Sequence, residues 1–251
     1  MNRLKRILKE GKVALGCAVS VNSPDVAEVL SMMGFDFMIY DTEHTPLSIE
    51  TVQHLMQAAK GTDTVQIVRV AWNDLVLIKR ALDIGSDGLI IPWVNNRNQA
   101  IEAVKACKYP PRGLRGVGPR RASEYGAKFR EYIETADEDV MVIVQIETEE
   151  AVKNVEDILS VEGVDAFIIG PADLSTSLGI PLQFNHPKFI EAITRILEAG
   201  KKAGVPAGFF APSAEAAKKY KEMGFQLLNI GSDIGFIKAG GEAVKAIVTG
   251  E

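Results

Sequence analysis

"FDFMIYDTEHTPLSIETVQHLMQAAKGTDTVQIVRV", residues 35–70, decides the fold. It begins with an apolar run over 35–41, crosses a polar turn and continues as an amphipathic stretch over 48–60. It then breaks at Gly61 and returns to an apolar run over 64–70. Strand, helix, strand is the order this predicts. Both apolar runs are continuous rather than alternating, as parallel strands are when each face is covered. A glycine at the helix exit suits a left-handed terminal cap.

The same rhythm fills the chain. Apolar runs recur at 13–19, 87–92, 140–147, 165–170, 205–210 and 225–231. Helical patterns lie at 97–107, 148–159, 187–203 and 213–223, and Gly163, Gly204 and Gly224 stand before the next run. Eight strand candidates, each followed by a helix candidate, in 251 residues predict an α/β chain folded as a single (β/α)8 TIM barrel over 1–251. An open doubly wound sheet would carry a glycine-rich phosphate turn after its first strand. Here that turn reads "VSVNSPDVAEV". The basic start, "MNRLKRILKEGKVALG", reads as a first helix, having no long apolar core or cleavage site.

The totals exclude several partners. A net charge of −5 without a block of like charge argues against nucleic acid and anionic membranes. No apolar run approaches about 18 residues, so no membrane span is expected. Cys17 and Cys107 form no CxxC, which makes a reduced, cytoplasmic setting the default.

Active sites of such barrels sit at the carboxyl ends of the strands. The apolar run over 35–41 ends in Asp41, with Glu43 and His44 just beyond, and Arg69 interrupts the run over 64–70. The run over 140–147 ends in Gln145 and Glu147, and Asp173 follows Gly170 by three residues. Glu147 and Asp173 form a carboxylate pair suited to a hard divalent cation, or else they cap the helices they precede. Asp41 would orient His44 as a general base, or His44 is a surface residue of the loop. Arg69 needs a partner. A substrate carboxylate would serve, as would a salt bridge to Asp41, Glu43 or Glu147. His54 reads as a surface or packing residue and His186 as a helix-start residue. Phe209, Phe210 and Trp93 would line an acceptor pocket or pack. The insertion "KYPPRGLRGVGPRRASEYG" over 108–126, with Arg115, Arg120 and Arg121, reads as a lid, an anion-binding loop or a subunit contact.

Three long segments carry a resemblance: "YDTEHTPLSIETVQHLMQAA", "ALDIGSDGLIIPWVNNRNQAIEAVKACKYPPRGLRGVG" and "VQIETEEAVKNVEDILSVEGVDAFIIGPADLSTSLG". They resemble the HpcH/HpaI family of class II pyruvate-dependent aldolases over about residues 10–240. The resemblance implies a barrel of the phosphoenolpyruvate/pyruvate type. It also implies retro-aldol cleavage of a 4-hydroxy-2-oxo acid, of 2-dehydro-3-deoxyglucarate or 4-hydroxy-2-oxoheptanedioate type, to pyruvate and an aldehyde. By position, His44 is the base paired with Asp41, and Arg69 meets the pyruvate oxygen. Glu147 and Asp173 hold a divalent ion, Mg2+ first and Mn2+ or Co2+ next. The backbone at Gly170 and Ala172, with Gln145, binds the pyruvate moiety. Asp83, in "LDIGS", is supplied by a neighbouring subunit of a homohexamer. No strand candidate carries an interior lysine, which fits a mechanism without a Schiff base. Oxaloacetate decarboxylation, macrophomate synthase-like enolate chemistry and a non-catalytic assembly barrel remain the alternatives.

Overall fold

The alternation of runs closes on itself in a computed structural model that describes residues 2–250. The strands are β1 (Ala14–Val19), β2 (Phe37–Asp41), β3 (Val65–Arg69), β4 (Gly88–Ile91), β5 (Met141–Ile146), β6 (Ala166–Ile169), β7 (Ala207–Phe210) and β8 (Leu227–Ser232). Each pairs in parallel with its sequence neighbours, and β8 returns to β1, so no sheet edge is left. The helices are α1 (Arg3–Lys9), α2 (Pro24–Met32), α3 (Ile49–Ala58), α4 (Leu75–Asp83), α5 (Arg97–Cys107) and α6 (Phe129–Asp139). They continue as α7 (Glu149–Lys153), α8 (Val155–Leu159), α9 (Pro171–Ser177), α10 (Pro187–Ala203), α11 (Ala214–Met223) and α12 (Asp233–Thr249).

Local chemistry sets the helix ends. Ser48 accepts a hydrogen bond from the N–H of Thr51 and starts α3, and Ser213 does the same for α11 through Ala216. Gly204 and Gly224 close α10 and α11 at φ 70° and 108°, which a side chain would resist.

The pleat sorts each strand into two cores. In β2, Phe37 and Ile39 pack inside the barrel, while Met38 and Tyr40 face the helices. In β3 the inner pair is Val65 and Ile67, and in β5 it is Met141 and Ile143. Leu4 and Leu8 of α1 join this inner cluster and plug the amino end. Two residues further along each strand, the inner apolar sequence gives way to Asp41, Arg69 and Gln145. The barrel is therefore dry below and polar at its carboxyl rim.

Two expectations are corrected. The helix expected over 148–159 is two helices, because the backbone turns at Asn154, whose side chain donates to the Asn95 carbonyl. The 108–126 insertion is neither a lid nor an anion site over this chain's own rim. Arg121 donates to the carbonyls of Ile84 and Met56, at the exits of α4 and α3, which fixes the loop at the amino end. Arg115 is 0% exposed, lies between the rings of Tyr109 and Tyr132, and bonds to Asp83 at 2.9 Å. The loop then leads into α6, a helix the sequence pattern did not announce.

Barrel closure leaves no room at Gly88. A Cβ there would stand 2.7 Å from both the Met141 Cβ and the Met141 carbonyl oxygen. Gly88→Ala is expected to cost about 1–3 kcal/mol, as overpacking of a rigid core does, read as a lower urea midpoint at unchanged slope.

Candidate active site

Parallel register places Asp41 directly beside Arg69 at the ends of β2 and β3. Arg69 donates from Nε to Asp41 Oδ1 at 2.9 Å and from Nη2 to Oδ2 at 2.7 Å. The planar fork thus meets both carboxylate oxygens. Asp41 Oδ1 also accepts the backbone N–H of Glu43 at 3.0 Å and of His44 at 3.4 Å. Burial works to raise the Asp41 carboxyl, but Arg69 and these N–H groups outweigh it and hold it below the usual carboxylate range. Burial likewise disfavours the charged Arg69, and Asp41, Glu43 and Glu147 more than offset it, so the guanidinium stays protonated. The Phe210 ring lies 5.2 Å beneath it.

In this structure Asp41 meets the backbone N–H of His44 and not its imidazole. The strand register turns both Asp41 oxygens to Arg69. The side-chain contact of His44 is instead Nε2 to Glu43 Oε2, at 3.5 Å. The ring is 57% exposed, while the Glu43 side chain is 7% exposed. Arg69 Nε stands 3.4 Å from the same Glu43 oxygen, which has no hydrogen-bond donor.

Across the mouth, Glu147 is 1% exposed. Its Oε1 accepts the Trp93 N–H at 2.8 Å, and its Oε2 accepts from the Gln145 amide. Trp93 has φ 56°, a left-handed conformation costing a bulky residue about 1–2 kcal/mol, and that turn is what aims its N–H at the carboxylate. A Cβ on Gly170 would stand 2.8 Å from Glu147 Oε2, so only glycine lets the end of β6 lie against it. Asp173 follows in the first turn of α9. Neither acid caps its helix: Thr148 caps α7 through Ala151, and Gly170 occupies the cap position of α9.

Burial, against the hydrogen bonds from Gln145 and Trp93, pushes the Glu147 carboxyl up to about 7, and the charges of Glu43 and Asp173 add to the rise. Glu43 is also pushed up to about 7. Burial is the main cause, Arg69 opposes it, and Asp41 and Asp173 add to it. Asp41, Glu43 and Glu147 thus act on one guanidinium, and Asp173 adds its charge to Glu43 and Glu147. Among the described residues no three His, Cys, Asp or Glu side chains form a ready metal cage. Glu147 and Asp173 fit the other kind of site, in which one or two carboxylates hold a hard cation and water or substrate oxygens complete its shell.

The remaining candidates scatter. Asp83 ends α4 at the amino end, away from this chain's own rim, in its pair with Arg115. His186 caps α10 by accepting from the Lys188 N–H at 3.1 Å, and His54 is exposed on α3. Phe209 packs among Tyr220 and Phe225 in the outer core. Trp93 sits at the rim, 5.9 Å from Trp72. Sequence reasoning named Glu43 only as a possible partner of Arg69, which it is at 3.4 Å, and passed over the Trp93 backbone. The crowding of Asp41, Glu43 and His44 was the signal for the first, and nothing in the sequence signalled the second.

Comparison with known proteins places this arrangement. A family model described as HpcH/HpaI aldolase/citrate lyase matches residues 15–239. The 4-hydroxy-2-oxo-heptane-1,7-dioate aldolase of Shigella sonnei (strain Ss046) is 39% identical over 98% of this chain and 94% of its own. The 5-keto-4-deoxy-D-glucarate aldolase of Klebsiella pneumoniae subsp. pneumoniae is 36% identical, covering 95% and 93%. A crystal structure of an HpcH/HpaI aldolase/citrate lyase family protein from Burkholderia cenocepacia J2315 superposes with TM-score 0.94 at 36% identity, covering 98% and 99%.

The raised carboxyls fix a pH dependence. Unfolding returns Glu147 and Glu43 to an ordinary value of 4.5. Between 4.5 and about 7 the unfolded chain has released protons that the folded one still holds. The folded state therefore loses stability as pH rises through that window. Urea midpoints in EDTA are expected to fall across it, Glu147→Gln to flatten the fall, and Mg2+ to restore stability most at its upper end.

Proposed function

The chain belongs to the HpcH/HpaI aldolase/citrate lyase family, and from that premise we propose how its rim works as a metal-dependent, class II site. The chain is a carbon–carbon lyase of the aldolase type. Its substrate is read as a 4-hydroxy-2-oxo acid, cleaved reversibly to pyruvate and an aldehyde. The observation that carries this reading is the two-sided rim: an acidic pair, Glu147 and Asp173, opposite a guanidinium locked by Asp41 and an open imidazole at His44.

Glu147 and Asp173 are the residues that would hold a divalent cation, Mg2+ first among the candidates, with Mn2+ or Co2+ as substitutes. When bound, that cation supplies Lewis acidity to the keto and carboxylate oxygens of the 2-oxo acid. The other roles fall to the chain. Arg69 has five N–H donors, of which the Asp41 fork takes two, so the rest are free to meet an oxygen on which negative charge develops. His44 takes the proton of the 4-hydroxyl. The C3–C4 bond then breaks, the hydroxyl carbon leaves as aldehyde, and the bond electrons pass to the enolate oxygen of the pyruvate half. Protonation of the enolate carbon completes pyruvate. Gln145 fixes Glu147, and the backbone at Gly170 and Ala172 is read as the carboxylate subsite.

The chain is also read as a homo-oligomer, with a hexamer as the family precedent. α12 rests chiefly on β1 and β8 and leaves Ile234, Ile237, Val244, Ile247 and Val248 exposed. A face of that kind marks an interaction surface. Assembly would also carry Asp83 toward a neighbouring rim. Among the described residues no helix is long and apolar enough to cross a membrane, and a cytoplasmic setting suits two free, buried cysteines.

Pyruvate release from 4-hydroxy-2-oxo acids with neutral and carboxylated tails, coupled to lactate dehydrogenase, tests the reading. EDTA is expected to abolish release and Mg2+ or Mn2+ to restore it, while borohydride leaves it intact. Activity that survives EDTA and dies with borohydride would reject the mechanism, and turnover of oxaloacetate alone would replace it with decarboxylation. His44→Ala is expected to lower kcat/KM by about 10²–10⁴, the range of a lost general base. In sedimentation velocity, Ile247→Lys is expected to shift the assembly toward smaller species.

A further inference from the structure

The residues of the mechanism stand on β2, β3, β5 and β6 or just beyond them, and the arc of the mouth formed by β7, β8 and β1 is unassigned. With the 2-oxo end held at Glu147, Asp173 and Gly170 and the 4-hydroxyl at His44, the substrate beyond C4 is left that arc. One residue there breaks the pattern of the barrel. The second inward position of β2 to β6 is isoleucine each time, at Ile39, Ile67, Ile90, Ile143 and Ile168. On β8, Leu227 faces inward and Leu228 outward, so alternation turns Asn229 inward. Asn229 is 7% exposed, and among the described residues nothing donates to its Oδ1. Turning the amide over would exchange an orphan acceptor for orphan donors, so a polar partner is required either way. We propose that Asn229 is a specificity-determining residue whose amide meets a hydroxyl on C5 of the substrate, so that the chain takes 4,5-dihydroxy-2-oxo acids with an uncharged tail.

The inference rests on the aldolase reading and names its acceptor half, a 2-hydroxyaldehyde. Strand geometry supports it. Asn229 pairs with Phe210 on β7 and with Gly16 on β1. From Gly16 to Ala18 β1 advances by two residues, while β8 advances by three, from Asn229 to Ser232. Such a bulge re-aims side chains at the end of a strand. Ala18 and Phe210, on the strands to either side, are half-buried, so this arc is reached from the mouth. The chemistry of the arc selects the tail. An amide offers both an acceptor and donors, and a hydroxyl uses both. A methyl group in its place would leave the amide orphaned. A carboxylate calls for a cation, yet residues 18–25, 210–217 and 229–237 include no lysine or arginine and do include Asp25, Glu215 and Asp233. The arc is also held still. Asp233 accepts from the Ser20 N–H and hydroxyl, each at 2.6 Å, and from the Val21 N–H at 2.7 Å. A fixed wall is what lets one polar contact discriminate between tails.

The test uses the full-length protein with Mg2+ and three acids. They are 4,5-dihydroxy-2-oxopentanoate, its isostere 4-hydroxy-2-oxohexanoate, in which a methyl replaces the C5 hydroxyl, and 4-hydroxy-2-oxoheptanedioate. The dihydroxy acid is expected to have a kcat/KM about 10–100-fold above each of the others, as when one buried neutral group is left unpaired. Asn229→Leu, close in volume, is expected to bring the ratio of dihydroxy acid to isostere within about threefold, through a larger fall for the dihydroxy acid. Asn229→Ala should do the same and serves if Asn229→Leu fails to fold. Calorimetric titration of the His44→Asn protein with the three acids reads binding without cleavage and is expected to give the same order. Equal kcat/KM for the dihydroxy acid and its isostere, a preference for the dioate, or a loss shared equally by all three acids in the Asn229 variants would overturn the proposal. A protein that cleaves none of the acids would sink the aldolase reading, and the titration then decides alone. Tighter binding of the dihydroxy acid would uphold Asn229, and equal or absent binding would overturn it.

Discussion

Everything at the rim follows from an imbalance of charge. Four carboxylates, from Asp41, Glu43, Glu147 and Asp173, converge where the strands end, and Arg69 is the guanidinium set among them. Asp41 neutralises Arg69 in a two-bond fork, so the pair contributes little net charge to the mouth. Glu147 and Glu43 are both enclosed, and Glu43 shares Arg69 with Asp41. Burial is the main cause that pushes their carboxyls up to about 7, and neighbouring carboxylate charge adds to it. An ion of charge two is the simplest remedy, and it is the remedy that 2-oxo acid chemistry also needs.

The barrel creates this imbalance with ordinary rules. Parallel strands alternate inside and outside, so the line that carries Phe37 and Ile39 must next carry residue 41. The same holds for Val65, Ile67 and residue 69. The inner apolar cluster and the catalytic rim are therefore successive layers of one pattern. Rigid packing below is what permits strain above. Trp93 is kept in a left-handed turn, and Gly170 is kept bare, so that one carboxylate oxygen of Glu147 meets an N–H and the other lies against the start of α9.

Most of this layout was legible in the chain. The eight runs announced eight strands, and the acids and the arginine fell at the ends where a barrel puts its chemistry. What escaped had physical causes. Sequence spacing suggested that Asp41 would turn to His44, its near neighbour. The salt bridge from Arg69 to Asp41 was one of the readings open in the sequence, and strand register, which no local pattern reveals, is what selects it. The arginines of the 108–126 loop suggested an anion site, but the loop folds at the amino end and buries Arg115 between two tyrosines. The backbone strain at Trp93 had no sequence signature, because tryptophan is a poor choice for that conformation and only the fold imposes it.

The central claim is that Glu147 and Asp173 share one divalent ion. Anomalous scattering from crystals grown with Mn2+ addresses it directly. A single peak bridging an oxygen of each residue, at about 2.0–2.3 Å and lost in Glu147→Gln, is the predicted result. A peak bound elsewhere, or these two carboxylates turned apart with the ion on neither, would contradict the account.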